Sequence, residues 1–293
     1  MQKIVPHLWY DKEAGEAAAL YTSAFPNSSV LNRVLISDTP SGTAELLTIE
    51  LAGQRFMLIS AGPYFRFTPA ISFLVACDTK EEVDSLHARL SGGTDLMPLG
   101  SYPFSERYAW TADKFGLSWQ LMLMGDIPYE SKITPTLMFV GDQCGKAETA
   151  METYTKLFGA SRIGPVMRYA EGEAPDKAGT VKHGAFSLAG QSFAAMDSAY
   201  EHDFTFNEAV SLVVNCGTQA ELDKYWSALS AQPEAEQCGW LKDRFGVSWQ
   251  IVPTAMDDMM ASGDREAMGR VTQAFLKMKK FDIAELERAF RNA

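Results

Sequence analysis

Cysteine is scarce in this chain and positive charge is in deficit. The four cysteines, Cys77, Cys144, Cys216 and Cys238, form no Cys-x-x-Cys pair and have no histidine at ligand spacing. That excludes a zinc knuckle and a disulfide framework, and they read as reduced, mostly buried thiols. Against 37 acidic residues stand only 26 Lys and Arg, a formal charge of −11. Basic residues gather no more densely than between Lys277 and Lys280, so nucleic acid and anionic membrane surfaces are not expected as partners. No apolar run approaches the roughly 20 residues of a membrane helix. Met1 to Trp9 is too short and mixed for a signal peptide, which places the expected location in the cytoplasm. A Gly-rich turn between strand and helix is also missing: Ser91-Gly-Gly93 follows a helical pattern, and Gly62 and Gly164 stand alone beside prolines. A methyl-donor cradle is therefore not expected. No Ser-His-Asp or Cys-His arrangement can be assembled, so no catalytic residue and no cofactor is assigned.

What is present is a duplication. Asp113-Lys-Phe-Gly-Leu-Ser-Trp-Gln-Leu121 returns as Asp243-Arg-Phe-Gly-Val-Ser-Trp-Gln-Ile251. In the same order, Lys3-Ile-Val-Pro6 matches Lys132-Ile-Thr-Pro135, Leu51-Ala-Gly-Gln54 matches Leu188-Ala-Gly-Gln191, and Ser72 to Cys77 matches Ser211 to Cys216. The shift from Asp113 to Asp243 far exceeds solenoid periods of about 20 to 50 residues, so each copy reads as a domain. With 293 residues, 46% of them apolar, the chain is long enough for two. The expected division is residues 1–127, residues 131–255 and a helical extension over 256–293.

Each copy again divides in two. Ile4 to Tyr10 reads as a strand and Ala14 to Phe25 as a helix stopped by Pro26. Strands follow near Ser29 to Ile36, Leu46 to Leu51 and Phe56 to Ser60. Ile71 to Ala76 then opens a second such unit, with Thr79-x-x-Glu82 as a capping box before its helix and three strands ending at Leu123. The second copy repeats the plan with its own capping box, Thr218-x-x-Glu221. Four βαβββ units make an α+β chain. Beyond them, Met268, Val271, Phe275 and Met278 form one helical stripe, and Asp282-x-x-Glu285 caps a last helix; both are expected to cover the second domain or the junction between domains.

Paired βαβββ units ending in Asp-x-Phe-Gly-x-x-Trp-Gln resemble the vicinal oxygen chelate (glyoxalase/bleomycin resistance/dioxygenase) superfamily. The openings Ile4-Val-Pro-His-Leu-Trp-Tyr and Ile133-Thr-Pro-Thr-Leu-Met-Phe, and helices ending Tyr21-Thr-Ser-Ala-Phe-Pro and Tyr154-Thr-Lys-Leu-Phe-Gly, are similar to its PhnB-like branch, labelled 3-demethylubiquinone-9 3-methyltransferase. The resemblance implies two tandem domains, each folding its strands into a cup. It also implies up to four metal ligands per cup, at positions that fall here on Val5, Met57 or Leu58, Ser72 and Gln120, and on Thr134, Asp197 or its neighbour, Ser211 and Gln250. Only Asp197 carries charge, and a stable divalent site wants several imidazoles or carboxylates, so no metal is expected. Single-domain relatives pair into dimers; the duplication here implies a monomer with internal pseudo-symmetry or a homodimer.

Comparing the copies assigns strand faces. Ile4, Leu8 and Tyr10 match Ile133, Leu137 and Phe139, as a face packed on a helix requires, whereas Val5, His7 and Trp9 become Thr134, Thr136 and Met138. The divergent face is expected to line the cup, with His7 either a polar contact or general base, or else a hydrogen-bonded structural residue. Trp110 and Trp240 are either cup wall or core. The expected grouping is His7, Trp9 and Gln120 in one cup, and Thr136, Met138 and Gln250 in the other. The loop Gly62-Pro-Tyr-Phe-Arg-Phe67 could lid an apolar, weakly anionic ligand. His87 is expected to face solvent, and His183 has no role. Together these give His7, Trp9, Met57, Trp110, Gln120, Asp197, Trp240 and Gln250 as candidate contacts to a small apolar or aromatic molecule. A metal-dependent lyase, isomerase or dioxygenase is the alternative, and methyl transfer is not expected.

Overall fold

The computed structural model describes residues 2–39 and 42–292. The first copy runs β1 (Ile4–Tyr10), α1 (Ala14–Ala24), β2 (Ser29–Thr39), β3 (Gly42–Leu51), β4 (Gln54–Ser60), β5 (Ile71–Cys77), α2 (Lys80–Leu90), β6 (Asp95–Tyr102), β7 (Ser105–Ala112) and β8 (Ser118–Leu123). The second runs β9 (Ile133–Phe139), α3 (Ala147–Leu157), β10 (Arg162–Arg168), β11 (Val181–Leu188), β12 (Gln191–Asp197), β13 (Val210–Cys216), α4 (Gln219–Leu229), β14 (Trp240–Lys242) and β15 (Ser248–Pro253). Three helices close the chain: α5 (Ala255–Ala261), α6 (Arg265–Phe275) and α7 (Ile283–Arg291). The caps follow the side chains that the sequence supplies: Thr79 and Thr218 accept the backbone N–H of Glu82 and Glu221, while Asp264 and Asp282 do the same for α6 and α7.

The four units do not assemble in sequence order. One sheet has the order β14-β15-β13-β1-β4-β3-β2, the other β10-β11-β12-β9-β5-β8-β7-β6. At the seam of the first, β1 lies antiparallel to β13 with His7 opposite Ser211; at the seam of the second, β5 lies antiparallel to β9 with Ser72 opposite Thr136. Each sheet therefore takes one unit from each copy. Helices α1 and α4 pack on one face of the first sheet, α2 and α3 on one face of the second, and α1 meets α2.

The shared helical layer unites each copy. Tyr21 on α1 donates to the Asp113 carboxylate at 2.7 Å, which also accepts the Trp119 indole N–H at 3.0 Å and the amides of Phe115 and Leu117. Tyr154, Trp249, Phe245 and Val247 surround Asp243 in the same way. The two turns thus occupy equivalent environments. They differ in depth: Phe245 is 3% exposed against Tyr154 and Phe139, whereas Phe115 is only half-buried against Tyr21 and Tyr10. Phe245→Ala should cost about 3 to 5 kcal/mol, and Phe115→Ala only about 1 to 2, since less of its ring leaves water. Paired urea titrations measure both, and equal losses would show that the half-exposed ring counts as core.

The terminal helices do more than cover the second copy. Helix α6 packs on β2, one edge of the first sheet, while Cys238 and Gly239, beside the other edge strand, donate to the carbonyls of Met278 and Lys279. The extension spans the two rims of that sheet. Among the described residues, no helix is long and apolar enough to cross a membrane.

Candidate functional site

On β1, Ile4, Leu8 and Tyr10 belong to the core shared with the helices, and Tyr10 meets Tyr21 at 3.0 Å; Val5, His7 and Trp9 point to the opposite side. Strand pairing brings Met57 beside His7 on β4, and Trp240 beside Gln250 at the far edge of the same face. The cup of the first sheet therefore holds His7, Trp9, Met57, Trp240 and Gln250. Gln120 and Trp110, side by side on β8 and β7, lie in the second sheet, in the cup that receives Thr136 and Met138. The grouping expected from the sequence is corrected here: His7 and Trp9 share a cup with Gln250, not Gln120. The physical reason is the seam, where β1 takes its partner from the second copy.

Asp197 is also corrected. It pairs with Phe139, a core residue, so it faces the helices while its neighbour Met196 faces the cup. Its carboxylate accepts the amides of Gly145, Ala147 and Val181, anchoring the start of α3. Ser60 does the equivalent for Ala14 on α1. His87 does not face open solvent; it is partly buried, with Nε2 3.6 Å from Asp95.

The cups differ in how well their polar atoms are satisfied. In the second, Tyr108 donates to the Gln120 Oε1, Gln120 Nε2 donates to Ser72, and the Trp110 indole N–H donates to Ser118 at 2.8 Å. Met97, Met122, Met196 and Phe204 pack against this network. In the first, Gln250 repeats the bond to Ser211, but Trp240 turns its ring onto His7 at 5.5 Å and onto Trp9 at 6.0 Å. Among the described residues, Ser248, the counterpart of Ser118, is left buried with no hydrogen-bond partner, and so is Nδ1 of His7. Burial, with no charged neighbour to offset it, pushes the His7 imidazole down to about 3. At neutral pH the ring is an uncharged donor and acceptor. Ser248 escaped the sequence reading, although it stands two residues before Gln250 and alternation puts both on one face.

These donors do not fit a divalent metal. One imidazole, a thioether, a hydroxyl and an amide already committed to that hydroxyl supply neither the carboxylates nor the count that such ions need. Among the described residues, no group of three or more His, Cys, Asp or Glu gathers at ligand distance.

Comparison with the curated proteins gives no match. The family described as 3-demethylubiquinone-9 3-methyltransferase matches twice, over residues 2–122 and 131–252. A putative 3-demethylubiquinone-9 3-methyltransferase, PhnB protein, from Bacillus cereus is 41% identical over 42% of this chain and 99% of its own, with a TM-score of 0.39. A protein from Staphylococcus aureus is 31% identical over 42% of this chain and 97% of its own, with a TM-score of 0.18. A glyoxalase I mutant from Zea mays aligns over 88% of this chain and 97% of its own at 12% identity and a TM-score of 0.54, a likeness of fold alone. The duplicated match and the interleaved sheets agree, and the chain belongs to the PhnB-like 3-demethylubiquinone-9 3-methyltransferase family, built on the vicinal oxygen chelate fold.

Proposed function

We propose that the cup of the first sheet binds a compact apolar or aromatic molecule carrying an uncharged polar group, without a metal ion. The observation that carries this reading is the pair of buried, unpartnered polar atoms, His7 Nδ1 and Ser248 Oγ. A buried polar atom left without a partner costs roughly 1 to 3 kcal/mol, so a ligand that supplies the missing bond regains it. Trp9, Trp240 and Met57 provide the apolar wall, and Gln250 the adjacent amide. The second cup has spent its polar groups on each other. Methyl transfer forms no part of the proposal, because a methyl donor is ordinarily held at a Gly-rich strand-to-helix turn and, among the described residues, these sheets offer none beside the cup. With four free cysteines, a cytoplasmic setting suits the chain.

Titration with the uncharged aromatic probe N-phenyl-1-naphthylamine, read by fluorescence, tests this. Saturable binding should weaken about tenfold in His7→Ala, as for loss of a buried hydrogen bond, and stay unchanged in Thr136→Ala, the equivalent position of the other cup. Equal effects of both, or of neither, would remove the first cup as the site. Equilibration with Mn, Ni, Fe or Zn ions should leave far less than one ion per chain, and stoichiometric retention would restore the metal-dependent reading.

A further inference from the structure

A cleft of about 580 Å³ opens at the end of β1, between the loop 62–67 and the turn 113–116. It shares Trp9 with the first cup and otherwise lies beyond both cups, around the end of the strand. Its walls are aromatic: Trp9, Tyr10, Phe65, Phe67 and Phe115. Several are held in place by identifiable contacts. The Trp9 indole N–H donates to the Gly62 carbonyl at 2.8 Å, Phe65 packs edge-on to Trp9 at 5.1 Å, and Phe67 and Phe115 both meet Tyr10.

The rim carries charges of both signs. Lys114 and Glu16 neutralise one another, and Glu13 accepts the Lys12 amide. Glu13 keeps its charge, since a backbone amide orients a carboxylate without neutralising it, and Arg66 and Asp11 line the cleft without a salt bridge and without a side-chain hydrogen bond among the described residues. Only their carbonyls are engaged, by Asn207 and Gly62. An unpaired guanidinium and an unpaired carboxylate over aromatic walls match a ligand with both charges on an apolar body.

The second copy shows what the same place looks like when closed. Phe206 and Phe245, the counterparts of Phe67 and Phe115, are 5% and 3% exposed and pack on Phe139, while Arg244 is tied to Thr153. The first copy keeps its two rings half-buried and the space between them open. We infer that this cleft is a second binding site, for a compact aromatic zwitterion of the α-amino acid type: the ring lies between Trp9, Phe65 and Phe115, the carboxylate meets Arg66 and the ammonium meets Asp11.

Calorimetric titration of the full chain with L-phenylalanine, phenylacetate and phenethylamine tests the inference. L-Phenylalanine should bind saturably, and each half-charged analogue at least about tenfold more weakly, as expected when one charge-assisted hydrogen bond is lost. Arg66→Gln should abolish the preference over phenethylamine, and Asp11→Asn the preference over phenylacetate; both positions are exposed, so folding is not at stake. His7→Ala, in the first cup, should leave L-phenylalanine binding unchanged. Absence of saturation by about 10 mM, a range set by the weakest specific affinities, would overturn the site. So would equal binding of all three ligands, or a loss caused by His7→Ala, and the latter would move the ligand to the cup.

Discussion

Replacing Asp243 with alanine is expected to remove about 4 to 6 kcal/mol of stability, close to the whole margin of about 5 to 15 kcal/mol on which folded domains rest. The carboxylate is 3% exposed and accepts from the Tyr154 hydroxyl, the Trp249 indole and the amides of Phe245 and Val247. Truncation leaves four buried donors in a space too apolar to admit enough water to replace it. Asp243→Asn should lose less, because its oxygen still accepts the amides of Phe245 and Val247 and its NH2 can donate to a turned Tyr154 hydroxyl, leaving the Trp249 indole N–H as the one donor without an acceptor, while the neutral amide avoids the cost of burying charge that holds the Asp243 carboxyl above its ordinary range. Urea unfolding of the two variants separates these effects. A loss under about 1 kcal/mol in the alanine variant would mean that solvent reaches the turn and that the bonds are not a cornerstone of the copy.

Acid should destabilise the protein through His7. The folded ring stays neutral down to about 3, whereas in the unfolded chain it takes up a proton below about 6.5. Between those values the unfolded state binds more protons, so stability falls as pH falls, by about 1.4 kcal/mol for each unit in that window. Above 6.5 neither state is charged at this position and the effect vanishes; below 3 both are, and no more is lost. His183, lowered by burial as well, acts in the same direction, while Asp113 and Asp243, raised by burial, act in the opposite one. Subtracting the profile of His7→Gln from that of the parent isolates the one group. At pH 4.5 the parent should have lost about 3 kcal/mol relative to the variant. Parallel profiles would show that the imidazole is hydrated in the folded state.

Much of the architecture was legible, because it rests on local chemistry repeated in register. Thr79, Thr218 and Asp282 begin helices for the capping reason that their side chains suggest, and the exchange of Val5, His7 and Trp9 for Thr134, Thr136 and Met138 marks the cup side of the first strands. The seam was not legible. β5 and β13 carry nearly the same residues, Ser72 and Ser211 above all, so β1 could find an equally good neighbour in either, and only the connections decide between them. Asp197 misled for a different reason. The Leu51 and Leu188 match aligns Met57 with Ala194, which indeed stands opposite Thr136 as Met57 stands opposite His7. Asp197 is three residues on and therefore on the other face. Helix α5 falls at the start of the expected helical extension and was not singled out, because seven residues are too few to show a helical stripe.

The seam also sets the order in which the molecule comes into being. β5 and β9 are near neighbours along the chain, with Ile71 opposite Leu137, so the second sheet can close while synthesis is still under way. β1 meets its partner only when β13 arrives, with Ile4 opposite Val214. At about 5 to 20 residues per second, that wait is on the order of 10 to 40 s on the ribosome. During it, one margin of the nascent first sheet presents bare amides and carbonyls, the kind of edge that recruits a stranger. In a polysome, where identical chains emerge side by side, a β13 of another copy can meet the same open margin, which makes this the step of assembly most exposed to exchange between sister chains.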